Sequence, residues 1–301
     1  MADLAPIVLF VYNRPWHTQQ TVEALLKNTL AGESKLYIYS DAEKTSKDQK
    51  NVQKVRDYIR SISGFYEIEI KERQENWGLA ASIIDGVSSI VNEYGRVIVL
   101  EDDLVTSSYF LKFMNDALER YAHIDRIMHI SGWNYPIDSS EADDIFLWRL
   151  MNCWGWATWK NAWSSFSKEP VQLMKSYSAA DVQYLNLDGA VSSWLEVEAN
   201  IDGRINTWAI FWYASIIRQN GLCLNPIFSL TDNIGLDGSG VNCGPNDKFK
   251  NRLIERIVLL PETLNEIENK NVTDEIKNFV KIGFLKKLKK LFHGVKIYFG
   301  K

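Results

Sequence analysis

Only three cysteines occur in this chain, Cys153, Cys223 and Cys243, and their scatter excludes a disulfide framework or a zinc site, as suits a reducing compartment. Asn271-Val272-Thr273 is then an idle sequon. No stretch approaches the roughly 20 apolar residues that a membrane-spanning helix needs. Met1 to Ile7 also lacks a basic lead-in, so neither a transmembrane helix nor a secretory signal is expected, and the cytoplasm is the expected location. Positive charge is in deficit at a net −4, which gives no case for nucleic-acid binding. Internal repeats are absent. So are G-x-x-x-x-G-K-[ST] and, near the first apolar run, G-x-G-x-x-G, so neither glycine-rich phosphate motif is available. Tryptophan, by contrast, is in surplus at eleven. Burying a tryptophan without a partner for its N–H is costly, so the surplus points to a large aromatic core or to stacking surfaces for flat or ring-shaped ligands, core packing being the reading for most of them.

The 301 residues suffice for one large α/β domain or two modest ones. Short β-rich runs alternate with helix-length amphipathic ones, a βαβ pattern. It predicts strands at Ile7 to Tyr12, Leu36 to Tyr39, Tyr66 to Ile70, Val97 to Leu100 and Ile127 to Ile130. Helices are expected from Pro15 onward, with Val22, Leu25 and Leu26 on one face, and over about Lys47 to Ser61, Leu79 to Glu93 and Ser107 to Tyr121. After Ser131 the rhythm breaks into Gly, Trp, Asn and Pro, which sets the expected boundaries: 1–131, 132–262 and a tail, 263–301. The second stretch holds an aromatic segment from Phe146 to Phe166, a helix over about Trp208 to Gln219, and a loop rich in Gly and Asn from Asn233 to Gly244. In the tail, Leu285, Leu288, Phe292 and Val295 recur at helical spacing, while Lys281, Lys286, Lys287, Lys289 and Lys290 crowd the remaining surface. Such a helix either lies on an anionic membrane, at about 1 kcal/mol per basic residue, or packs on its own domain with a solvated lysine face.

Val97 to Leu104 reads V-I-V-L-E-D-D-L, a buried-strand pattern that stops on three acids. Ligands of open α/β sheets bind just beyond the carboxyl ends of such strands. Adjacent like charges repel, so Glu101, Asp102 and Asp103 call for water, a Lys or Arg, or a hard divalent metal to balance them. Tyr12-Asn13-Arg14, Ser40-Asp41 and Asn76-Trp77-Gly78 follow three other expected strands and would converge on the same edge. Arg14 offers a planar fork of donors to phosphate, Asp41 can accept from a base N–H, and the acids can hold a metal, which together describe a site for a nucleotide diphosphate. The plainer readings are that Arg14 caps a loop and Asp41 caps the polar helix.

V-L-F-V-Y-N-R-P, Y-S-D-A, V-L-E-D-D-L, S-G-W-N and C-W-G-W-A-T-W, in that order over about residues 5–262, resemble bacterial glycosyltransferases of the GT-A fold, distantly similar to N-acetylglucosaminyltransferase I. The resemblance implies a Rossmann-like α/β fold with a mixed central sheet, a nucleotide-sugar-binding first half and an acceptor-binding second half. It makes Asp103 the ligand of Mn2+ (or Mg2+) bridging a UDP diphosphate, with Asp102 near the ribose and the metal's waters and Glu101 near the donor-sugar hydroxyls. Arg14 becomes the phosphate-side arginine and Asp41 the acid that reads uracil; Asn76 and Gly78 join the donor set. Cys153 to Trp159, with Trp154, Gly155 and Trp156 at its centre, has the character of a floor where donor sugar and acceptor meet, since Trp faces stack on sugar rings and Gly permits close approach; the plainer reading is a packed aromatic core hairpin, for Trp159 and Trp163 even if Trp156 touches ligand. Asn233 to Gly240 falls where the family closes a loop over the donor and so excludes water.

The family's base stands in a W-D-D-W stretch; the matching Thr207 to Trp212 contains no acid. Asp202, Glu196 and Glu198 are the nearby carboxylates, with Asp202 the candidate base, and Asn242 stands where a His occurs in the relative. The resemblance thus implies a metal-dependent, inverting transferase moving a sugar from a UDP-sugar to a glycan or lipid-linked glycan, in capsule or lipopolysaccharide assembly, peripheral to the inner face of the cytoplasmic membrane. A sugar nucleotidyltransferase would need a glycine-rich basic loop, which Tyr12 to His17 does not provide. The remaining alternative is a non-catalytic carbohydrate-binding or scaffold domain whose acids only cap the sheet.

Overall fold

Runs of β-branched and aromatic residues become strands wherever the βαβ rhythm places them in the computed structural model, which describes residues 4–137, 143–239 and 247–281. β1 (Ile7–Val11), β2 (Lys35–Ser40), β3 (Glu67–Glu72) and β4 (Arg96–Glu101) alternate with α1 (Pro15–Leu26), α2 (Gln49–Arg60) and α3 (Gly78–Tyr94). Proline opens α1, where its missing N–H costs nothing, and Gly95 ends α3 in a left-handed conformation at φ 77°. β5 (Leu104–Thr106), α4 (Phe110–Arg120) and β6 (Ile127–Ser131) complete the first half.

The second half extends the same sheet. It adds β7 (Ile145–Trp148), β8 (Trp156–Trp159), the short helices α5 (Lys160–Trp163), α6 (Pro170–Ser176), α7 (Ala179–Leu185) and α8 (Trp194–Ile201), then α9 (Ala209–Arg218), β9 (Leu222–Pro226) and β10 (Thr231–Asn233). Eight strands run β3-β2-β1-β4-β8-β6-β9-β7, and β10 pairs with β5 in a separate ribbon. β1 to β4 are mutually parallel, β8 is antiparallel to β4 and β6, β9 is parallel to β6, and β7 is antiparallel to β9. The carboxyl ends of β1, β2, β3, β4 and β6 therefore share one edge. Phe10 lies opposite Glu101, Val11 opposite Ser40, and Ser40 opposite Glu72. The boundary expected near Ser131 thus falls at the end of β6, inside a single mixed sheet to which both halves contribute strands.

Both faces of the sheet are covered. Val8, Phe10, Val97 and Val99 pack with Ile83, Val87 and Ile90 of α3 and Phe211 and Trp212 of α9; Ile7, Leu9, Ile98 and Leu100 pack with Val22 and Leu25 of α1 and Leu111 and Met114 of α4. Each such side chain contributes about 1.5–3 kcal/mol by leaving water. α3 approaches β1 closely enough that a Cβ on Gly86 would stand 2.7 Å from the Phe10 ring. The tryptophans mostly serve the core: Trp133, Trp148, Trp156 and Trp212 are enclosed, while Trp16 and Trp77 are 57% and 45% exposed. Edge strand β3 turns Glu67 and Glu69 outward, which blunts it against further pairing.

The first part of the tail packs on the domain. A helix over 270–281 buries Val272 and Ile276, Lys277 pairs with Asp188 at 2.6 Å, and Arg149 Nε donates to Glu268 at 2.9 Å. The amphipathic stretch expected at Ile282 to Tyr298, like Asn242 and Cys243, lies outside the described residues. No helix among the described residues is long and apolar enough to cross a membrane.

His129 on β6 is wholly buried between Trp212 and Trp156, accepting from Trp212 Nε1–H at 3.2 Å on Nδ1 and donating from Nε2 to Asn152 O at 3.0 Å. Burial pushes its pKa down to about 3, only partly offset by the Asn152 bond. The unfolded chain takes up this proton near pH 6.5 and the folded chain does not, so the stability the neutral ring contributes is present above about 6.5 and lost as pH falls towards 3. Between pH 6 and 4, urea unfolding should show the native protein losing about 1.4 kcal/mol per pH unit more than His129→Leu; parallel pH profiles would contradict this.

Candidate active site

β4 is driven into the middle of the sheet by Ile98, Val99 and Leu100, each fully buried, and this places the acids that follow at the edge. Glu101 is the last residue of β4; Asp102 and Asp103 form the turn into β5. Thr21 Oγ1 of α1 donates to Asp102 O at 2.9 Å, and Ile234 N donates to Asp103 O at 2.9 Å, so helix and loop both grip the turn. Arg14 leaves the neighbouring strand at the start of α1. Its Nη1 lies 2.7 Å from Asp103 Oδ2 and 3.7 Å from Asp102 Oδ1, which brings the two carboxylates together around one point.

Three carboxyl groups here face one guanidinium. Burial pushes the Glu101 carboxyl well up, and the charges of Asp103 and Asp102 push it further, with Arg14 pulling back. Asp102 is raised by burial and then by Asp103, again against Arg14. Fully ionised, the three carboxyls would carry more negative charge than Arg14 balances, and the upward shifts of Glu101 and Asp102 express that excess. All the available ligand atoms are hard carboxylate oxygens, which suit Mg2+ or Mn2+ rather than a soft metal. Among the described residues no group of three or more His, Cys, Asp or Glu side chains is placed to hold a metal ion by itself. A cation that keeps several waters and takes substrate phosphate oxygens needs only one or two protein carboxylates, and Asp103 with Asp102 fits that demand.

Asp41 does more architectural work than either sequence reading assigned to it. It is 7% exposed, and its carboxylate accepts from Trp77 N at 2.9 Å and Gly78 N at 2.8 Å, as well as from Ala42 N at 3.0 Å. It therefore holds the start of α3, not the polar helix α2. Gly78 takes φ +74° there, a left-handed conformation that favours glycine. Asn76 Nδ2 donates to Ala42 O at 2.7 Å and closes the same junction between the loops after β2 and β3. Arg73 covers one side of the exposed Trp77 ring, 3.7 Å from its centroid.

The aromatic segment calls for corrections. Trp156 has no exposed surface: it stacks on His129 at 5.3 Å and on Trp208 at 5.1 Å, so its faces are spent within the core and not on a sugar. Gly155, at φ +77°, makes room for the protein itself, since a Cβ there would meet Thr231 Cγ2 at 2.7 Å and the Phe110 ring at 3.2 Å. Trp154 is half-buried, edge-on to Trp133 at 4.5 Å, and its carbonyl accepts from Thr231 Oγ1 at 2.6 Å. Asp202 is not placed as a base. It caps the end of α8 with its side chain 57% exposed, and its carboxylate accepts from Arg204 in a solvated ion pair. Trp208, Ala209, Ile210 and Phe211 open α9 without an acid.

Sequence reasoning passed over His17. It stands three residues after Arg14 in the first turn of α1, and its Nε2 donates to Asp237 Oδ2 at 3.0 Å across the edge. Its position directly behind Arg14-Pro15-Trp16 was the available signal.

No family model matches the chain, and no curated protein does. Among solved structures it is similar to mannosyltransferase PcManGT from Pyrobaculum calidifontis in complex with GDP-Man and Mn2+, at 9% identity and TM-score 0.39 over 72% of this chain and 68% of that one. It is similar to mouse xyloside xylosyltransferase 1 at 9% identity and TM-score 0.39, over 71% of this chain and 81% of that one. S. aureus TarS in complex with UDP-GlcNAc matches at 15% identity and TM-score 0.31, over 42% of this chain and 33% of that one. The chain spans 21% of the longer S. aureus TarS structure.

Because Asp41 holds two N–H groups at the start of α3, Asp41→Ala should lower the unfolding free energy by about 2 kcal/mol, with or without any ligand. Urea denaturation checks this, and a loss under about 0.5 kcal/mol would contradict the capping role.

Proposed function

We propose that the chain is a GT-A-type glycosyltransferase that takes its sugar from a UDP-sugar and passes it to a glycan or lipid-linked glycan. The observation that carries this reading is the convergence of Arg14, Asp102 and Asp103 at the end of β4, with Asp41 on the adjoining strand end after β2. The ordered motifs that resemble GT-A glycosyltransferases lie at that same edge.

In this reading Asp103, with Asp102 beside it, holds a divalent cation, which supplies Lewis-acid stabilisation of the leaving diphosphate. Arg14, whose fork now rests on Asp103 at 2.7 Å, would offer paired charge-assisted bonds to phosphate oxygens. Asp41 keeps one acceptor site, on Oδ2, beyond its three backbone bonds, and from a rigid junction it can accept there from the uracil N–H. Glu101, at the strand end, accepts from a donor-sugar hydroxyl and fixes the sugar's orientation, an effect of positioning rather than of proton transfer. Once the donor is seated, the loop after β10 is placed to fold back over it and exclude water, which would otherwise consume the donor. Inversion by direct displacement follows from the family resemblance, with the base unassigned now that Asp202 is committed to Arg204.

A cytoplasmic, membrane-peripheral role in surface polysaccharide assembly belongs to the same proposal; it rests on the resemblance and on the basic tail. The half-buried rings of Tyr135 and Trp154, packed edge-on to the enclosed Trp133, support placing the acceptor on the second half, because exposed ring edges and faces suit sugars.

Asp103→Asn keeps the shape of the side chain and removes its charge. Calorimetric titration should show wild-type UDP binding that needs Mn2+, and at least about tenfold weaker Mn2+-dependent binding in Asp103→Asn at unchanged melting temperature. Retained metal-dependent UDP binding in the variant would sink the assignment.

A further inference from the structure

His17 is 7% exposed, rests against the edge of Trp16 at 4.9 Å, and its Nε2–H donates to Asp237 Oδ2 at 3.0 Å. An ionised carboxylate can only accept, so the polarity of this bond is fixed. Two residues further along the loop, Ser239 Oγ accepts from Arg14 Nη2 at 3.1 Å, while Ser239 N donates to Asp237 Oδ1 at 2.8 Å. The loop is tied down at its root as well: Asn233 pairs with Leu104 in the β5–β10 ribbon. Gly235 passes so close to the acids that a Cβ there would collide with the Asp103 carboxylate and stand 2.8 Å from Arg14 Nη2. Oxygens of the loop therefore sit on both cationic or donor groups of the α1 start, where an incoming phosphate would have to bind. The Ser239 bonds, and then His17, hold the Asp237 carboxyl down to about 2, so it is an anion at neutral pH.

We propose that His17 is a second anion-binding residue of this edge, beside Arg14, and that Asp237 and Ser239 occupy the pair in the ligand-free protein as an internal stand-in for phosphate, so that a nucleoside diphosphate binds by displacing the loop. The inference rests on the donor reading above and adds to it a residue and a competition. The asymmetry of burial supports exchange. His17 and Arg14 have side chains 9% and 16% exposed and stay with the scaffold, whereas the Asp237 side chain is 44% exposed on the loop. Half-exposed ion pairs are weak, and a diphosphate offers more charge and more acceptor oxygens than one carboxylate and one hydroxyl. A ligand that must displace an internal occupant binds more weakly by the fraction of molecules in which the site is free, so removing the occupant raises apparent affinity.

Titration of the full chain with UDP and, separately, with uridine, both in Mn2+, tests this in the wild type, Asp237→Ala, His17→Ala and the double variant. Asp237→Ala should tighten UDP about threefold and leave uridine unchanged, because only the phosphates compete with the loop. His17→Ala should weaken UDP about tenfold with uridine again unchanged, and it should abolish the gain from Asp237→Ala in the double variant. UDP affinity that is unchanged or reduced in Asp237→Ala would overturn the stand-in, and this variant alters a side chain that is 44% exposed on the loop. Equal weakening of UDP and uridine in His17→Ala would reduce His17 to a structural residue and overturn its binding role. A wild type that binds both ligands while the variants behave as it does overturns this inference and leaves the donor reading standing, whereas a wild type that binds neither overturns the donor reading itself.

Discussion

Three carboxylates at the end of one buried strand, with a single guanidinium between them, set the terms for the rest of the edge. Unit charges a few ångströms apart interact strongly wherever water is thinned, so Glu101, Asp102 and Asp103 are tolerable only with a cation at hand. Arg14 reaches them because β1 lies parallel beside β4, with Phe10 opposite Glu101, and because the chain leaves β1 directly into α1. The same pairing fixes Thr21, one turn and a half along α1, on the Asp102 carbonyl. The β5–β10 ribbon then returns the later loop over the acids, so residues more than 130 positions apart in sequence meet at one charge cluster.

Polar groups at this edge divide into those that build it and those left to face a ligand. Asp41 and Asn76 weld two neighbouring loops together, and Arg56 adds bonds to the Arg73 and Asp41 carbonyls at 2.7 and 3.4 Å. Such a junction is rigid because its backbone N–H groups are satisfied by side chains and not by water. Arg14, Asp103 and His17 instead pair with groups on a loop or with one another, and those pairs can be exchanged. In the proposed reading the stiff junction would meet the base and the exchangeable pairs the phosphates, a workable division of labour for a nucleotide whose far end must react.

The parallel half of the fold was legible because hydrophobic period and turn residues agreed: Ile7 to Tyr12 became Ile7–Val11, and Leu79 to Glu93 became Gly78–Tyr94. The second half was not, for a physical reason. β8 inserts antiparallel between β4 and β6, a long-range pairing that leaves no local periodicity, and its Trp156 and Trp159 look equally suited to a core or to a sugar. Burial decided the matter for Trp156, which shares the interior with His129 and Trp208. The acid triplet and Arg14 could be read from position alone, since both follow strands. The Asp237–His17 contact could not, because the loop's path depends on the β5–β10 ribbon and not on any neighbour in sequence.

In the proposed reading Asp103 binds a divalent cation together with a nucleotide diphosphate held by Arg14. Crystals grown with UDP and Mn2+ and measured at the manganese absorption edge address it most directly. An anomalous peak is expected within coordination distance of an Asp103 oxygen, beside a diphosphate that touches Arg14. UDP bound at this edge with no such peak, or manganese seated away from Asp103, would contradict it.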